Sequence, residues 1–187
     1  MKILVVIDMQ KDFIDGTLGT KEAKAIVPHI ASRVKQADGN TLVLFTLDTH
    51  QENYLETSEG KKLPVVHCIE NSDGWQLDPE ILAAWEHNTK TIALSERESH
   101  FYHKPVFGCV DLVEDLKHWE NELTEIELIG VCTDICVVSN ALMIKNSLPD
   151  VKITVDASLC AGVTKESHTA SLTVMKMCHV DVINEEL

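Results

Sequence analysis

The sequence predicts an α/β fold in three layers, with a six-stranded, mostly parallel sheet flanked by helices on both faces. Short runs rich in β-branched residues alternate with amphipathic stretches along the chain. Several of these runs are apolar without alternation, as parallel strands covered on both faces should be. A length of 187 residues suffices for one sizeable core. We therefore expect a single domain spanning residues 1–187.

The strands and helices follow one another in a regular order. The predicted strands are residues 3–9, 41–48, 91–96, 125–131, 151–159 and 180–184. Between them, apolar residues at helical spacing predict helices over 21–36, 109–120, 133–146 and 164–178. The polar segment from Thr49 to about Leu77 interrupts this order, and a loop of that length inside a domain is usually functional.

Composition excludes several classes of function. The formal net charge of −14 opposes attraction to nucleic acid or to an anionic membrane, because both require a positive field. The first apolar run is only about five residues long, which is too short for a signal peptide or a membrane span. Six cysteines are scattered through a chain that needs no disulfides for stability. We expect a cytoplasmic protein with reduced thiols that acts on a small molecule.

Ligands of open α/β sheets bind beyond the carboxyl ends of the strands. Asp8 and Asp48 follow the first two strands, although Asp8 on its own could still be a turn or cap residue. His50 would face the same side as Asp48 in an extended segment, and His67 could add a second imidazole. Two histidines and an aspartate suit a divalent transition metal such as zinc or iron, but spacing alone does not distinguish such a site from a solvated polar loop.

The stretch "GVCTDICV", residues 130–137, contains two cysteines. If Thr133 is the N-cap of the following helix, Cys136 is the third helical residue, where the positive helix end lowers a thiol's pKa. Backbone N–H groups there could also bind an oxyanion. A cysteine at a strand end is, however, more often part of the core, and no second cysteine pair supports a zinc clip. Lys104 offers a cation for a thiolate but would ordinarily be a solvated loop residue.

Five segments together resemble the isochorismatase-like cysteine hydrolases and, within them, the nicotinamidases. The matching segments are "VIDMQKDF" (6–13), "DTH" (48–50), "LPVVHC" (63–68), the lysine of "HKPVFGCVDL" (103–112) and "GVCTDICV" (130–137). The resemblance implies a six-stranded parallel sheet, Asp8 as the catalytic acid and base, Cys136 as the nucleophile and Lys104 as the third catalytic residue. It also implies a cis peptide bond before Cys132, whose backbone N–H would form the oxyanion hole with that of Cys136.

The same resemblance implies a metal centre. Asp48, His50 and His67 match ligands that nicotinamidases have and isochorismatases lack, with Glu59 preferred to Glu56 as a fourth ligand. The metal would be zinc in the first place, with iron or manganese as alternatives. It would bind the pyridine nitrogen of nicotinamide.

The implied reaction is amide hydrolysis through a thioester. Cys136 would release ammonia from the carboxamide, and a water activated by Asp8 would yield nicotinate. Phe13 would form a wall for the substrate ring. The family further implies a role in NAD salvage and a homo-oligomer.

Two other hypotheses stay open. Leu63 stands where many nicotinamidases carry a tryptophan, which would suit a cysteine hydrolase for another small amide. Alternatively, the protein binds a metal or ligand without catalysis, and Cys136 belongs to the core.

Overall fold

Six parallel strands form one sheet at the centre of this computed structural model, which describes the backbone of residues 1–91 and 100–185 and the side chains of 1–88 and 100–185. In chain order the strands are β1 (Lys2–Ile7), β2 (Thr41–Asp48), β3 (Phe101–Lys104), β4 (Glu125–Val131), β5 (Lys152–Ala161) and β6 (Asp181–Ile183). Their order across the sheet is β3-β2-β1-β4-β5-β6, and every neighbouring pair is parallel. The predicted fold class is confirmed.

In the part of the chain that the structure describes, six α-helices connect these strands. They are α1 (Lys11–Ile14), α2 (Lys21–Lys35), α3 (Pro79–Thr91), α4 (Val110–His118), α5 (Val138–Ser147) and α6 (Lys165–Met177). A π-helical turn, Thr133–Val137, precedes α5. Among the described residues, no helix combines the length and apolar character that a membrane span requires.

The third strand differs from the sequence prediction. Thr91 is the last residue of α3, and the rest of the predicted strand 91–96 lies outside the described residues. The strand that pairs with β2 is Phe101–Lys104, so Lys104 ends a strand and does not lie in a loop. The sequence interpretation also missed α3. Its signal is Asp78 before Pro79, because the Asp78 carboxylate accepts the N–H of Glu80 at 2.9 Å and a proline suits the first turn.

Alternate residues of β1 enter two separate cores. Ile3, Val5 and Ile7 pack on the face covered by α4, α5 and α6, whereas Leu4 and Val6 pack on the face covered by α2 and α3. These five side chains are at most 1% exposed, and burial of each stabilises the fold by about 1.5–3 kcal/mol. The uninterrupted apolar sequence of β1 therefore reflects a strand covered on both faces.

The strand order places the carboxyl ends of four strands side by side. The direction of strand order reverses between β1 and β4, and a crevice opens at such a point beyond the carboxyl ends. Lys104 ends β3, Asp48 ends β2, Asp8 follows β1, and Cys132 follows β4. Residues far apart in sequence thus meet at one edge of the sheet.

Gly130 allows β4 to approach β1 at this edge. Its φ of +121° is rarely adopted by residues with a side chain, and a Cβ atom there would lie 2.2 Å from the carbonyl oxygen of Ile7. The neighbouring strand leaves no space for a methyl group, so only glycine fits this position.

Replacing Gly130 with alanine should destabilise the protein by more than about 2 kcal/mol, because strain and overlap with backbone add. Urea unfolding followed by circular dichroism measures this change. Gly108→Ala is the matched control, since its Cβ would meet the flexible Met143 side chain, and a loss within about 1 kcal/mol is expected. Equal losses in the two variants would contradict the role given to Gly130.

Candidate active site

Lys104 lies at the centre of a buried group of reactive side chains. It is 1% exposed, and its Nζ is 2.7 Å from Asp8 Oδ2, 3.1 Å from Asp48 Oδ1 and 3.5 Å from Cys136 Sγ. The structure therefore brings together the acid, lysine and thiol that the sequence motifs single out. Two carboxylates and one cation share a space that excludes most water.

The charges of this group fix the state of the lysine. Burial on its own would lower the pKa of Lys104, but Asp8, Cys136 and Asp48 outweigh it and hold the pKa well above its ordinary value. Lys104 is thus a permanent cation at neutral pH. Burial opposes ionisation of Asp48 as well, yet hydrogen bonds from His50 and His67 and the charge of Lys104 keep its pKa below the usual range.

Asp8 is held at a sharp turn after β1. Its φ of +49° is left-handed, which aspartate tolerates better than most residues. Thr46, on the neighbouring strand, accepts the Asp8 N–H at 3.1 Å and donates its hydroxyl to Asp8 Oδ1 at 2.6 Å. Burial and the charge of Asp48 raise the pKa of Asp8, against the effect of Lys104. Asp8 is therefore a stronger base than an ordinary surface carboxylate.

Cys136 does not have the lowered pKa expected at a helix end. Its side chain is buried, and this burial and the charge of Asp8 raise the pKa of the thiol well above its ordinary value, although Lys104 lowers it. A hydrogen bond to Asp8 also favours the protonated form. The resting group is thus a thiol beside a base, and the predicted lowering of the Cys136 pKa by the helix end is wrong.

The local helix geometry explains this difference. The helical turn starts at Thr133, so Cys132 occupies the N-cap position and Cys136 is the fourth residue of the turn. Thr133 does not cap the turn, because its hydroxyl is hydrogen-bonded to Nδ1 of His168 at 2.8 Å. The predicted N-cap is therefore wrong, and burial outweighs the helix end in setting the pKa of Cys136.

Cys132 directly precedes the π-helical turn that contains Cys136. The Val131–Cys132 bond is cis, as the resemblance implies. The carbonyl of Cys132 accepts the N–H groups of Ile135 at 3.1 Å and Val137 at 3.0 Å. Burial raises the pKa of the Cys132 thiol to about 12, so its sulfur is protonated at neutral pH. All six cysteines are free, as predicted.

Asp48 and three further side chains form a cluster suited to a metal ion. Ligand atoms of Asp48, His50, Glu59 and His67 all lie within 4.8 Å of one another. Asp48 Oδ2 is 2.9 Å from His50 Nε2 and 3.4 Å from His67 Nε2, and Glu59 Oε1 is 3.7 Å from His50 Nε2. Glu56 belongs to a short helical turn and is not in the cluster.

The donor set fits a divalent transition metal. Two imidazoles and two carboxylates are the ligand types that zinc, iron and manganese accept. His67 Nδ1 is 2.8 Å from the carbonyl oxygen of Val65, which leaves Nε2 to face the cluster. Asp48 serves both groups, since Oδ1 pairs with Lys104 and Oδ2 contacts the histidines.

Aromatic rings enclose this cluster. Phe13 packs edge-on against His67 with ring centroids 5.5 Å apart. Tyr54, which the sequence interpretation missed, lies 4.6 Å from the His50 ring and 4.9 Å from the His67 ring. Its hydroxyl donates to the carbonyl of Leu63 at 3.0 Å. Tyr54 thus ties the loop around residue 63 to the candidate metal site.

Two buried amides also escaped prediction. Gln10 donates from Nε2 to the carbonyl of Asp48 and accepts the Asp48 N–H on Oε1, each at 2.8 Å. Asn140 donates to the carbonyl of Cys136 at 2.8 Å and accepts the N–H of Cys109 at 2.9 Å. A glutamine or asparagine inside an apolar stretch is the sequence signal for a buried amide that hydrogen-bonds to distant backbone groups.

The fold and its carboxyl-edge site define the class of protein: the chain belongs to the isochorismatase family, whose Isochorismatase domain matches residues 2–186. An uncharacterized isochorismatase family protein, PncA of Bacillus subtilis, is 29% identical over 182 residues, which cover 92% of each chain. The structure of a pyrazinamidase/nicotinamidase from Streptococcus mutans is 26% identical with a TM-score of 0.80, covering 98% of this chain and 100% of that one.

A second solved structure, the pyrazinamidase of Pyrococcus horikoshii in complex with zinc, is 22% identical with a TM-score of 0.77. It covers 98% of this chain and 99% of its own. The predicted family is confirmed, and the chain is an enzyme of the amidohydrolase type.

Asp8→Asn should lower the pKa of Cys136, because it removes the anion that raises this pKa and leaves Lys104 unopposed by Asp8. The pH at which alkylation of Cys136 by iodoacetamide reaches half its maximal rate should therefore move down. Mass spectrometry of the labelled protein from about pH 6 to pH 10 measures the profile. Asp15→Asn, at an exposed carboxylate, should leave it unchanged. An upward shift in Asp8→Asn would refute the assigned cause.

Proposed function

We propose that the protein is a metal-dependent cysteine amidase that hydrolyses nicotinamide to nicotinate and ammonia. One observation carries the proposal: Asp48 joins the Asp8–Lys104–Cys136 group directly to a four-donor cluster. A nucleophile next to a metal site suits a substrate that is held by a ring atom and attacked at its carboxamide. The names of the relatives support the same reaction class.

The first half of the reaction forms a thioester. Asp8 accepts the thiol proton of Cys136 as the sulfur attacks the carboxamide carbon, and Lys104 stabilises the carboxylate and the developing thiolate. Asp8 then returns the proton to the amide nitrogen, the C–N bond breaks, and ammonia leaves. Backbone N–H groups of Cys132 and Cys136 would stabilise the oxyanion of the intermediate.

The second half regenerates the enzyme. Asp8 takes a proton from water, the hydroxyl attacks the thioester carbon, and the C–S bond breaks. Asp8 returns that proton to the thiolate of Cys136, and the product acid loses its own proton to solvent and leaves as nicotinate. The raised pKa of Asp8 suits both proton transfers, because a carboxylate of higher pKa accepts a proton more readily.

Asp48, His50, Glu59 and His67 would hold the metal ion. When bound, a divalent ion supplies a Lewis acid for the pyridine nitrogen and so orients the ring. Zinc is our first choice, since a protein of the same fold is known as a zinc complex, with iron and manganese as alternatives. Phe13 would contact the ring. The homo-oligomer, the cytoplasmic location and the role in NAD salvage stay predictions from the sequence.

A second candidate is a cysteine hydrolase of the same mechanism that acts on another small amide. The observation in its favour is Leu63, which is aliphatic and 36% exposed on the loop that Tyr54 holds near the candidate metal site. An aliphatic residue provides no flat surface on which an aromatic ring can stack.

Ammonia release from nicotinamide and pyrazinamide tests the substrate. The wild-type protein should turn over both, and Cys136→Ala should reduce kcat by at least about a thousandfold because the nucleophile is lost. Cys178→Ala, at an exposed cysteine, is the control and should keep full activity. If metal-replete wild-type protein releases ammonia from neither amide but from another small one, the second candidate replaces the first.

Removal of the metal should strongly reduce turnover. Dialysis against a chelator should reduce kcat/KM by at least about tenfold, and zinc, iron or manganese should restore it. Elemental analysis should find about one metal ion per chain in the wild type and in His29→Ala, where the histidine is exposed, but much less in His67→Ala. Full activity in protein shown to be metal-free would disprove the metal requirement.

A further inference from the structure

Asp12, in α1, is a buried carboxylate outside the group of reacting side chains. It is 9% exposed, and its Oδ2 accepts the backbone N–H of Cys68 at 2.8 Å in a buried hydrogen bond. Hydrogen bonds to an ionised acceptor are about twice as strong as those between neutral groups. Asp12 therefore holds one specific peptide of the long loop.

Cys68 connects the two histidines of the metal cluster through the two peptide groups on either side of it. Cys68 follows His67 directly, and its carbonyl accepts the N–H of His50 at 2.9 Å. Its φ of +46° is uncommon for a residue with a side chain, so the surrounding contacts must maintain it. Asp12 holds the N–H side of Cys68 and His50 holds the carbonyl side. The relative placement of both imidazoles thus passes through Cys68.

The Asp12 carboxylate has little freedom to move. Its backbone N–H donates to the carbonyl of Gly74 at 3.0 Å, and a Cβ atom on Gly74 would lie 2.2 Å from Oδ2 and 2.3 Å from the carboxyl carbon. The loop therefore packs directly against the carboxylate. The next residue, Phe13, contacts the His67 ring, so α1 supports the same ligand by two routes.

We infer that Asp12 is a positioning residue for the metal site: through its hydrogen bond to Cys68 it holds His50 and His67 in the arrangement that binds the ion. The inference rests on the proposed function, because it concerns the metal that this function requires. It differs from a purely electrostatic role, in which any negative charge near the site attracts the cation. It also differs from a purely structural role, in which Asp12 affects stability but not metal affinity.

Zinc binding to metal-free protein, measured by isothermal titration calorimetry, separates these roles. Asp12→Ala should weaken zinc affinity about 10- to 100-fold, as loss of groups that orient ligands does. Asp12→Asn keeps an acceptor oxygen without the charge, and its affinity should stay within about fivefold of wild type. Asp73→Ala is the control, since it removes an exposed carboxylate from the adjacent segment and should leave the zinc affinity unchanged. The rate of Cys136 alkylation in metal-free protein should be the same in all variants.

Gly74→Ala provides an independent test that deletes no polar group. The added methyl group displaces the Asp12 carboxylate, so it should also weaken zinc binding. In the double variant Asp12→Ala/Gly74→Ala the methyl group has no carboxylate to displace. The zinc affinity of this variant should therefore equal that of Asp12→Ala alone. If Asp12→Ala does not fold, Gly74→Ala compared with Asp12→Asn decides the question.

The outcomes distinguish the inference from the proposed function. If wild-type protein binds no zinc, iron or manganese, both are wrong. If wild type binds metal, and both Asp12→Ala and Gly74→Ala bind it as tightly as wild type does, only the positioning role is wrong. If Asp12→Asn binds as weakly as Asp12→Ala, charge and not position is responsible, and the inference is likewise overturned.

Discussion

Burial of the Lys104 cation is the constraint on which the rest of the site depends. An unpaired buried charge costs several kcal/mol, so Lys104 is tolerable only where anions surround it. Asp8 and Asp48 supply them, from the ends of the two strands next in order to β3. The strand order therefore determines the charges of the site as well as the packing of the core. It brings two carboxylates within reach of one lysine. Together with burial of the sulfur, the same three charges determine the protonation of Cys136.

Asp48 makes the two halves of the site interdependent. Each of its oxygens has a different partner, the lysine on one side and the imidazoles on the other. Gln10 fixes its backbone from both directions, so the carboxylate cannot turn towards one partner without losing the other. Because one carboxylate contacts both groups, a change of charge in the donor cluster also acts on the ion pair that Asp48 makes with Lys104. Such sharing explains why the site needs buried positioning residues as well as reactive ones.

Sequence patterns predicted the strands whose residues face two cores, because covered parallel strands give continuous apolar runs such as that of β1. They failed for β3, where four residues with an exposed histidine give no such run. They also failed for Gln10, Tyr54 and Asn140, whose importance lies in contacts with distant backbone and rings. Reactive residues could be predicted because the motif resemblance selects them. The pKa of Cys136 could not, since it depends on how deeply the folded chain buries the sulfur.

The pairing of β1 bears on how the protein is made. β1 finds one partner in β2 within about 40 residues, but its other partner, β4, follows about 120 residues after it. During synthesis the first strand therefore leaves the ribosome long before the strand that covers its second edge. An uncovered apolar strand edge is prone to join other chains. Until β4 emerges, the second edge of β1 is therefore open to pairing with another chain.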